Sequence, residues 1–527
     1  MTRRKLWLYL FLLTLLPLVS CELRSVTQPA TPAGRITETA GPATVVPATS
    51  TRNSPEATTA NAESTPAAAG PVTITVFYTN DEHGWMEGME PGEGAASMLA
   101  HWQEAGYDPD GPYLALSGGD MWTGPAISTW FEGEGMVEVM NQMGYAAAAV
   151  GNHEFDFGQD TLRARALESN FPFLSANLRT ASGDWPNHLE IAPYTVVEVA
   201  GIQAGIIGLS TLRTPTTTNP ANLDGLDFLG YEEALREIVP MARADGAELL
   251  LVTGHICEDE LAALAQPASK LGIAMIGGGH CNERVARELN GVVLVEGGYH
   301  FTSYARVELT FDPQQDEVVD ASYEVAYNEA VVDPDPGVAE IVARWRARAD
   351  AELEVVIGYS ERGLARHSTE LHRLLPATWL LAYPEADVAL TNPGGFRADL
   401  PAGPLTFAGV VGVLPFNNVL VDVTLSGEEL EQVLSFGREA DVAGVRRENF
   451  RWVLADGTPI DRQGSYRLVT TDFLYSGGDG YEMLAAFDPE AYNTGIDWRQ
   501  PLIDWLISQA SDDANPLDAA FAELAAP

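Results

Sequence analysis

Short apolar runs that each end in a polar, glycine-bearing loop set the rhythm of the first part of this chain. The runs cover residues 73–77, 113–116, 146–150, 248–252 and 273–276. Small and β-branched residues in stretches this short predict buried strands. The loops that follow read Thr79-Asn80-Asp81-Glu82-His83-Gly84, Ser117-Gly118-Gly119-Asp120, Gly151-Asn152-His153-Glu154-Phe155-Asp156, Thr253-Gly254-His255 and Gly277-Gly278-Gly279-His280-Cys281-Asn282. Open α/β sheets gather their sites at the C-terminal ends of strands, where these polar side chains fall. Further on, Asp335-Pro336-Gly337 opens a predicted helix over residues 338–351, with Ile341, Val342 and Trp345 at helical spacing. Residues 388–390 and 419–425 predict more strands, and Ser426-Gly427-Glu428-Glu429-Leu430 starts a helix. The sequence has no internal repeat, and its length allows two or three domains.

An Asn can offer a carbonyl oxygen to a metal, and a His can donate to a substrate oxygen. Taken singly, Asn152 or Asp156 reads more naturally as a loop cap. Taken together, five such loops would gather several costly polar groups at strand ends without a role. Mixed carboxylate, amide and imidazole ligands suit Mn, Zn, Fe or Mg, and no thiolate set for a structural zinc is apparent. The glycines let the backbone approach closely or take positive φ.

In the order of these five loops the chain resembles the calcineurin-like metallophosphatases. Within them it is similar to the 5′-nucleotidase / UDP-sugar hydrolase group, over about residues 71–487. The resemblance implies an α/β fold: a four-layer metallophosphatase sandwich followed by a smaller α/β substrate-binding domain. It implies two divalent metal ions, Zn, Mn or similar. Asp81 and His83 would bind one metal, Asp120 would bridge, and Asn152, His255 and His280 would bind the other. Asn282 stands where the commonest pattern has the second His of His-x-His, and is expected to be a weaker, harder ligand of the first metal. His153, paired with Asp156, would contact the scissile phosphate or the leaving oxygen and stabilise charge that develops in the transition state. Two cations roughly 3.5–4 Å apart acidify a water held between them and brace phosphate for in-line attack.

The second half carries Thr391-Asn392-Pro393-Gly394-Gly395-Phe396-Arg397, Leu414-Pro415-Phe416-Asn417-Asn418 and Thr471-Asp472-Phe473 with Gly477-Gly478-Asp479-Gly480-Tyr481. These resemble the C-terminal domain of the same group. By that resemblance Phe416 and Phe473 sandwich a base, Asp479 binds the ribose hydroxyls, and Asn392 and Asn418 make polar contacts to substrate. Arg397 matches a phosphate-binding arginine, and Arg362 and Arg366 fit two more if one residue is deleted nearby. Arginine forks suit bidentate phosphate binding. Either Phe alone would read as core; the surrounding Pro-Phe-Asn-Asn and Gly-Gly-Asp-Gly-Tyr motifs favour stacking, which tolerates different bases.

Arg3, Arg4 and Lys5 precede an apolar stretch over residues 6–19, too short for a spanning helix, which reads as a signal peptide. It ends Leu18-Val19-Ser20-Cys21, which resembles a bacterial lipobox with Cys21 as the lipidated first mature residue. Glu22, not Asp, leans against inner-membrane retention in a Gram-negative cell. Residues 22–70 are Thr, Ala, Pro, Ser and Glu with almost no large apolar side chains, so they are expected to form a disordered tether. The expected organisation is a signal peptide (1–21), the tether (22–70), a catalytic domain (71–330), a linker helix (331–357) and a substrate-binding domain (358–527).

The balance of 74 Asp+Glu against 30 Lys+Arg gives a formal charge of −44. That argues against nucleic acid as a partner and makes arginines near the pocket a local exception. Cys257 and Cys281 flank two of the candidate metal loops; an oxidising compartment would allow a disulfide, and two free buried thiols are the alternative. The function expected is extracytoplasmic, lipid-anchored hydrolysis of nucleoside 5′-monophosphates. UDP-sugars, nucleoside di- or triphosphates and 2′,3′-cyclic nucleotides are alternatives within the class. Thiosulfate-ester hydrolysis is a more distant one, which the aromatic pair argues against. A silent nucleotide-binding lipoprotein is the non-enzyme alternative.

Overall fold

The computed structural model describes residues 70–90, 92–329, 333–438 and 441–526. The expected signal peptide, Cys21 and all but the last residue of the expected tether lie outside them. Among the described residues no helix is long and apolar enough to cross a membrane.

The apolar runs form strands in two sheets. The first sheet has the spatial order Glu317–Tyr327, Ser303–Asp312, Val72–Thr79, Tyr113–Ser117, Ala147–Ala149, Phe173–Leu174 and Ile191–Ala192. The second has the order Arg284–Leu289, Val292–Gly297, Ile273–Gly277, Leu249–Gly254, Ile202–Leu209 and Tyr194–Val199. Within each sheet the strands that end in motif loops run parallel, so those loops leave at one end.

Strand Val72–Thr79 is buried on both faces from Ile74 onward. Ile74, Val76 and Tyr78 face the second sheet and pack with Leu249, Leu251 and Met275. Phe77 faces the other way, into a core of Met98, Trp102, Met140 and Trp345. Both faces of such a strand lie inside the sandwich, so its few polar side chains, Thr75 and Thr79, are buried too. Helices Ala95–Glu104, Glu134–Met143 and Pro336–Leu353 cover the outer face of the first sheet, and Tyr231–Ala244 and Glu258–Lys270 cover that of the second. Helix, sheet, sheet, helix is the four-layer sandwich.

The helix expected over residues 338–351 spans Pro336–Leu353. The Asp335 carboxylate accepts from the Val338 N–H at 2.9 Å and caps it. Its buried stripe of Val338, Ile341 and Trp345 belongs to the core under the first sheet, so the connection between the halves is anchored on the sandwich. Beyond it a five-stranded sheet runs Val442–Ala443, Val388–Leu390, Ser465–Thr471, Val419–Ser426, Tyr492–Asp497. The C-terminal segment completes this domain. Phe521 of helix Asp518–Leu524 is fully buried, and Asp518 accepts from the backbone N–H groups of Glu361 and Arg362 at 2.8 and 3.1 Å.

Candidate functional site

The five motif loops meet at one place. Asp120 lies at its centre: Oδ2 is 2.9 Å from His255 Nε2, 3.9 Å from His83 Nε2 and 3.9 Å from His153 Nε2. His83 Nε2 is 3.7 Å from Asp81 Oδ1, and His280 Nδ1 is 3.2 Å from His255 Nε2. Two ligand-type clusters therefore share Asp120: His83 with His153, and His255 with His280. Asp81, His83, Asp120, His280 and Asn282 all have φ between 47° and 74°. Left-handed backbone in side chains of these types marks loops held in costly shapes, as functional sites often are.

The surroundings fix the ring faces. His83 Nδ1 donates to the Thr123 carbonyl and His255 Nδ1 to the Gly118 carbonyl, both at 2.9 Å. Each His then presents an unprotonated Nε2 when it is neutral, the arrangement metal-ligating imidazoles use. Asn80 donates to Asp81 at 2.7 Å. Glu154 accepts from the backbone N–H groups of Asp120, Met121 and Gly151, which ties the loop of Asp120 to that of Asn152. Asn152 Oδ1 is buried and accepts no hydrogen bond from the described residues.

These groups carry charges that suit a cation. Burial pushes Asp81 up to about 6, Glu82 up to about 8 and Glu154 up to about 7, with the Asp120 charge adding to Asp81 and Glu154. Burial works against the His255 cation, yet Asp120 raises its pKa to about 10. Burial and then the neighbouring His255 drive His280 down to about 3. Crowded carboxylates in a buried site, beside an orphaned amide oxygen and oriented imidazoles, fit divalent metal ions.

A cavity of about 470 Å³ opens beside the cluster. His83, Asn152, His153, Asp156, His280 and Asn282 line its sandwich side. Asn392, Arg397, Phe416, Asn418, Phe473 and Asp479 line the other. His153 Nδ1 is 2.7 Å from Asp156 Oδ2. The Phe416 ring stacks on His153 at 5.7 Å between centroids, and Asn392 donates to Asp479 at 2.7 Å. Arg397 is half-buried; its Nη2 is 3.4 Å from His83 Nε2. Asn219 donates to Asp472 at 3.1 Å and closes the two halves over the cavity rim.

Two sequence-derived arginines fare differently. Arg366 faces a second, adjoining cavity that Arg397 also lines. Arg362 does not reach either cavity: it is half exposed and bridges Glu370 and Asp518. Sequence reasoning missed His372. This buried ring holds Asp441 through Nδ1 at 2.7 Å and the Arg366 carbonyl through Nε2 at 2.9 Å. It also stacks at 4.3 Å on Phe396, the residue before Arg397, so one imidazole braces both arginine-bearing segments.

Cys257 and Cys281 are joined in a disulfide, Cα to Cα 5.2 Å, which decides between the two thiol readings. It staples the segment after His255 to the segment of His280.

Glu296 is fully buried nearby, and neither carboxylate oxygen has a hydrogen-bond donor among the described residues. Burial, and then the Asp81 charge, push it up to about 9. The folded state thus holds a proton that the unfolded chain releases near its ordinary pKa of about 4.5. Its contribution to stability is complete below that value and is lost as pH rises toward about 9. Glu296→Gln keeps the neutral shape at every pH. In the presence of a chelator it is expected to melt a few degrees above wild type at pH 8, with a smaller gain at pH 5. An equal gain at both pH values in a melting series would reject a protonated Glu296.

Comparison with known proteins agrees with this geometry. Residues 350–486 match the family described as the 5′-nucleotidase C-terminal domain. The chain is 27% identical over 520 residues to Protein UshA of Yersinia enterocolitica, across 85% of this chain and 92% of that one. It is 26% identical to a 5′-nucleotidase of Vibrio cholerae, across 84% and 91% of the two chains. The crystal structure of a 5′-nucleotidase precursor from Thermus thermophilus superposes with a TM-score of 0.71 at 26% identity, across 84% of this chain and 97% of that one.

Proposed function

We propose that this chain, which belongs to the 5′-nucleotidase family of calcineurin-like metallophosphatases, hydrolyses nucleoside 5′-monophosphates to nucleoside and phosphate. One observation carries the reading: a single cavity has the metal-type cluster on one wall and Phe416, Phe473, Asp479 and Arg397 on the other. A phosphoryl at the cluster and a base between the rings would each meet their own chemistry.

Asp81, His83 and Asn282 would hold one divalent cation, Asn152, His255 and His280 a second, and Asp120 both. Together the two cations would supply Lewis-acid polarisation and water of lowered pKa. The chain's own groups do the rest. Arg397, half-buried beside His83, offers a guanidinium fork to the phosphoryl oxygens. Burial opposes the His153 cation, but Asp156 and then Asp120 outweigh it and hold its pKa above the ordinary value. With Nδ1 held by Asp156, Nε2 is the ring atom that would face the phosphoryl or the departing 5′-oxygen. Phe416 and Phe473 take the base, and Asp479, steadied by Asn392, takes the ribose hydroxyls.

Phe473→Ala tests the nucleoside half. It is expected to raise KM for AMP by roughly tenfold or more, the worth of one stacked base, and to spare p-nitrophenyl phosphate. Equal losses on both substrates in a kinetic comparison would make Phe473 a packing residue. The basic and apolar residues before Cys21 support an extracytoplasmic enzyme anchored by lipid on Cys21. An unacylated N-terminus in the mass of membrane-extracted protein would refute that.

A further inference from the structure

The C-terminal domain carries a two-stranded ribbon, Val445–Glu448 paired with Arg451–Leu454. Its root is held: Val445 and Trp452 are buried and belong to the core around Val388, Leu425 and Leu468. Its tip is not. Glu448 pairs with Arg451, so Asn449 and Phe450 form the two-residue turn, with φ of 51° and 65°. Turns of this hand favour Asn and then Gly, because a bulky side chain is strained in the left-handed region. Phe450 stands where glycine would cost least, and at 98% exposure it is the most exposed large apolar side chain among the described residues. The fold gains neither burial nor a relaxed turn from this ring, so its use lies outside the chain.

Positive charge surrounds the tip. Residues 446–451 hold three arginines and one glutamate in a chain of charge −44. Arg446 is held by Glu448 at 2.7 Å. Arg447 and Arg451 are exposed and make no ion pair with any described residue. Arg447 lies over the Trp452 ring, 4.7 Å from its centroid, which steadies it against the ribbon. An apolar ring at the point with guanidinium groups behind it matches the two chemistries of a bilayer boundary, acyl chains below and phosphate headgroups above. A second copy or another protein would need a broad face, on the order of 800 Å² a side, which a two-residue tip does not offer.

We propose that this ribbon is a membrane-contact finger: Phe450 enters the headgroup boundary of an anionic bilayer while Arg447 and Arg451 meet lipid phosphates. The proposal rests on the Cys21 anchor, which would keep the enzyme beside such a surface. Screening decides the sign of the electrostatics. At about 0.1 M salt, charges more than about 10 Å from the lipid count for little. The ribbon's own excess of arginine therefore outweighs the −44 of the whole chain. Each basic residue near an anionic leaflet strengthens the contact by roughly fivefold. Two free arginines and one ring are too few to recruit the protein from solution. They suffice to orient a protein that a lipid already holds, because a tethered contact forms at high effective concentration. The finger would thus hold one side of the anchored enzyme against the bilayer.

The test uses the membrane-extracted, acylated protein, inserted into vesicles of phosphatidylcholine alone or mixed with phosphatidylglycerol, with and without brominated acyl chains. Flotation reports the anchor. The tryptophan emission that Phe450→Trp adds to that of wild type reports the tip. In brominated vesicles with phosphatidylglycerol, that added emission is expected to fall by roughly half or more. It is expected to recover at about 1 M salt, where screening shortens to about 3 Å. Arg451→Glu on the same background is expected to abolish the quenching, while flotation and phosphate release from AMP stay unchanged. A protein that floats with both kinds of vesicle but shows no added quenching overturns the proposal and leaves the anchor standing. Quenching that ignores both phosphatidylglycerol and Arg451→Glu also overturns it. So does emission that ignores bromine and shifts to the blue with rising protein concentration, which would put a second copy over the tip. Failure to float with either kind of vesicle defeats the Cys21 anchor, and the finger with it.

Discussion

Asp120→Asn is expected to leave the protein with at most one bound metal ion and to cut phosphate release by on the order of a thousandfold or more. The side chain is the one carboxylate common to both ligand-type clusters, with Oδ2 2.9 Å from His255 Nε2 and 3.9 Å from His83 Nε2. Burial raises the cost of its charge, yet His255 and His153 hold it well below the usual carboxylate range. An amide of the same shape removes that charge where two divalent ions would repel each other most. Metal ions supply several kcal/mol of transition-state stabilisation, and each factor of ten in rate is about 1.4 kcal/mol. Elemental analysis after refilling with Mn²⁺ or Zn²⁺, alongside phosphate release from AMP, checks both halves. Two bound metals with near-normal turnover would remove Asp120 from the bridging role. Asp120 also accepts the His153 backbone N–H at 2.9 Å through Oδ1. The amide oxygen of Asn can keep that bond, so the variant isolates the charge.

The sandwich and its cluster were legible because their signals are local. Each strand is a short apolar run, and each ligand follows it within a few residues, so a linear reading finds both. What decided the remaining features lies far away in the chain. Arg362 and Arg366 share one short segment, and their spacing cannot say which turns inward. Asp518, 156 residues on, claims Arg362 together with Glu370, while Arg366 keeps its place through His372 and Asp441. Trp85 and His300 are distant in sequence and meet only because Val72–Thr79 and Ser303–Asp312 are neighbouring strands. The disulfide follows from the pairing of Leu249–Gly254 with Ile273–Gly277, which brings the segments after them side by side. The C-terminal segment did carry a signal: Leu517 and Phe521 stand one helical turn apart, and both are buried. The left-handed backbone at Asp81, His83, Asp120, His280 and Asn282 is not readable from composition, since Asp, Asn and His only tolerate that region.

His153→Ala is expected to lower kcat by on the order of a hundredfold to ten-thousandfold while metal content stays near that of wild type. The ring sits at the seam of the two halves: Nδ1 is held by Asp156 at 2.7 Å, its face lies against Phe416, and Nε2 lies 3.9 Å from Asp120. Asp156 takes Nδ1, so Nε2 is the ring atom left to face a phosphoryl at the cluster. Metal loss in this variant would mean that His153 is a ligand, in keeping with its place in the cluster of His83 and Asp120. The choice of substrate separates the two roles left open for the proton. If His153 protonates the departing 5′-oxygen, p-nitrophenyl phosphate, whose leaving group needs no proton, should lose much less than AMP. If it instead stabilises charge on the phosphoryl oxygens, both substrates should lose alike, because that charge develops with either. Unchanged turnover of both substrates would leave His153 as a support for Phe416, and the acid would have to be sought elsewhere in the cleft.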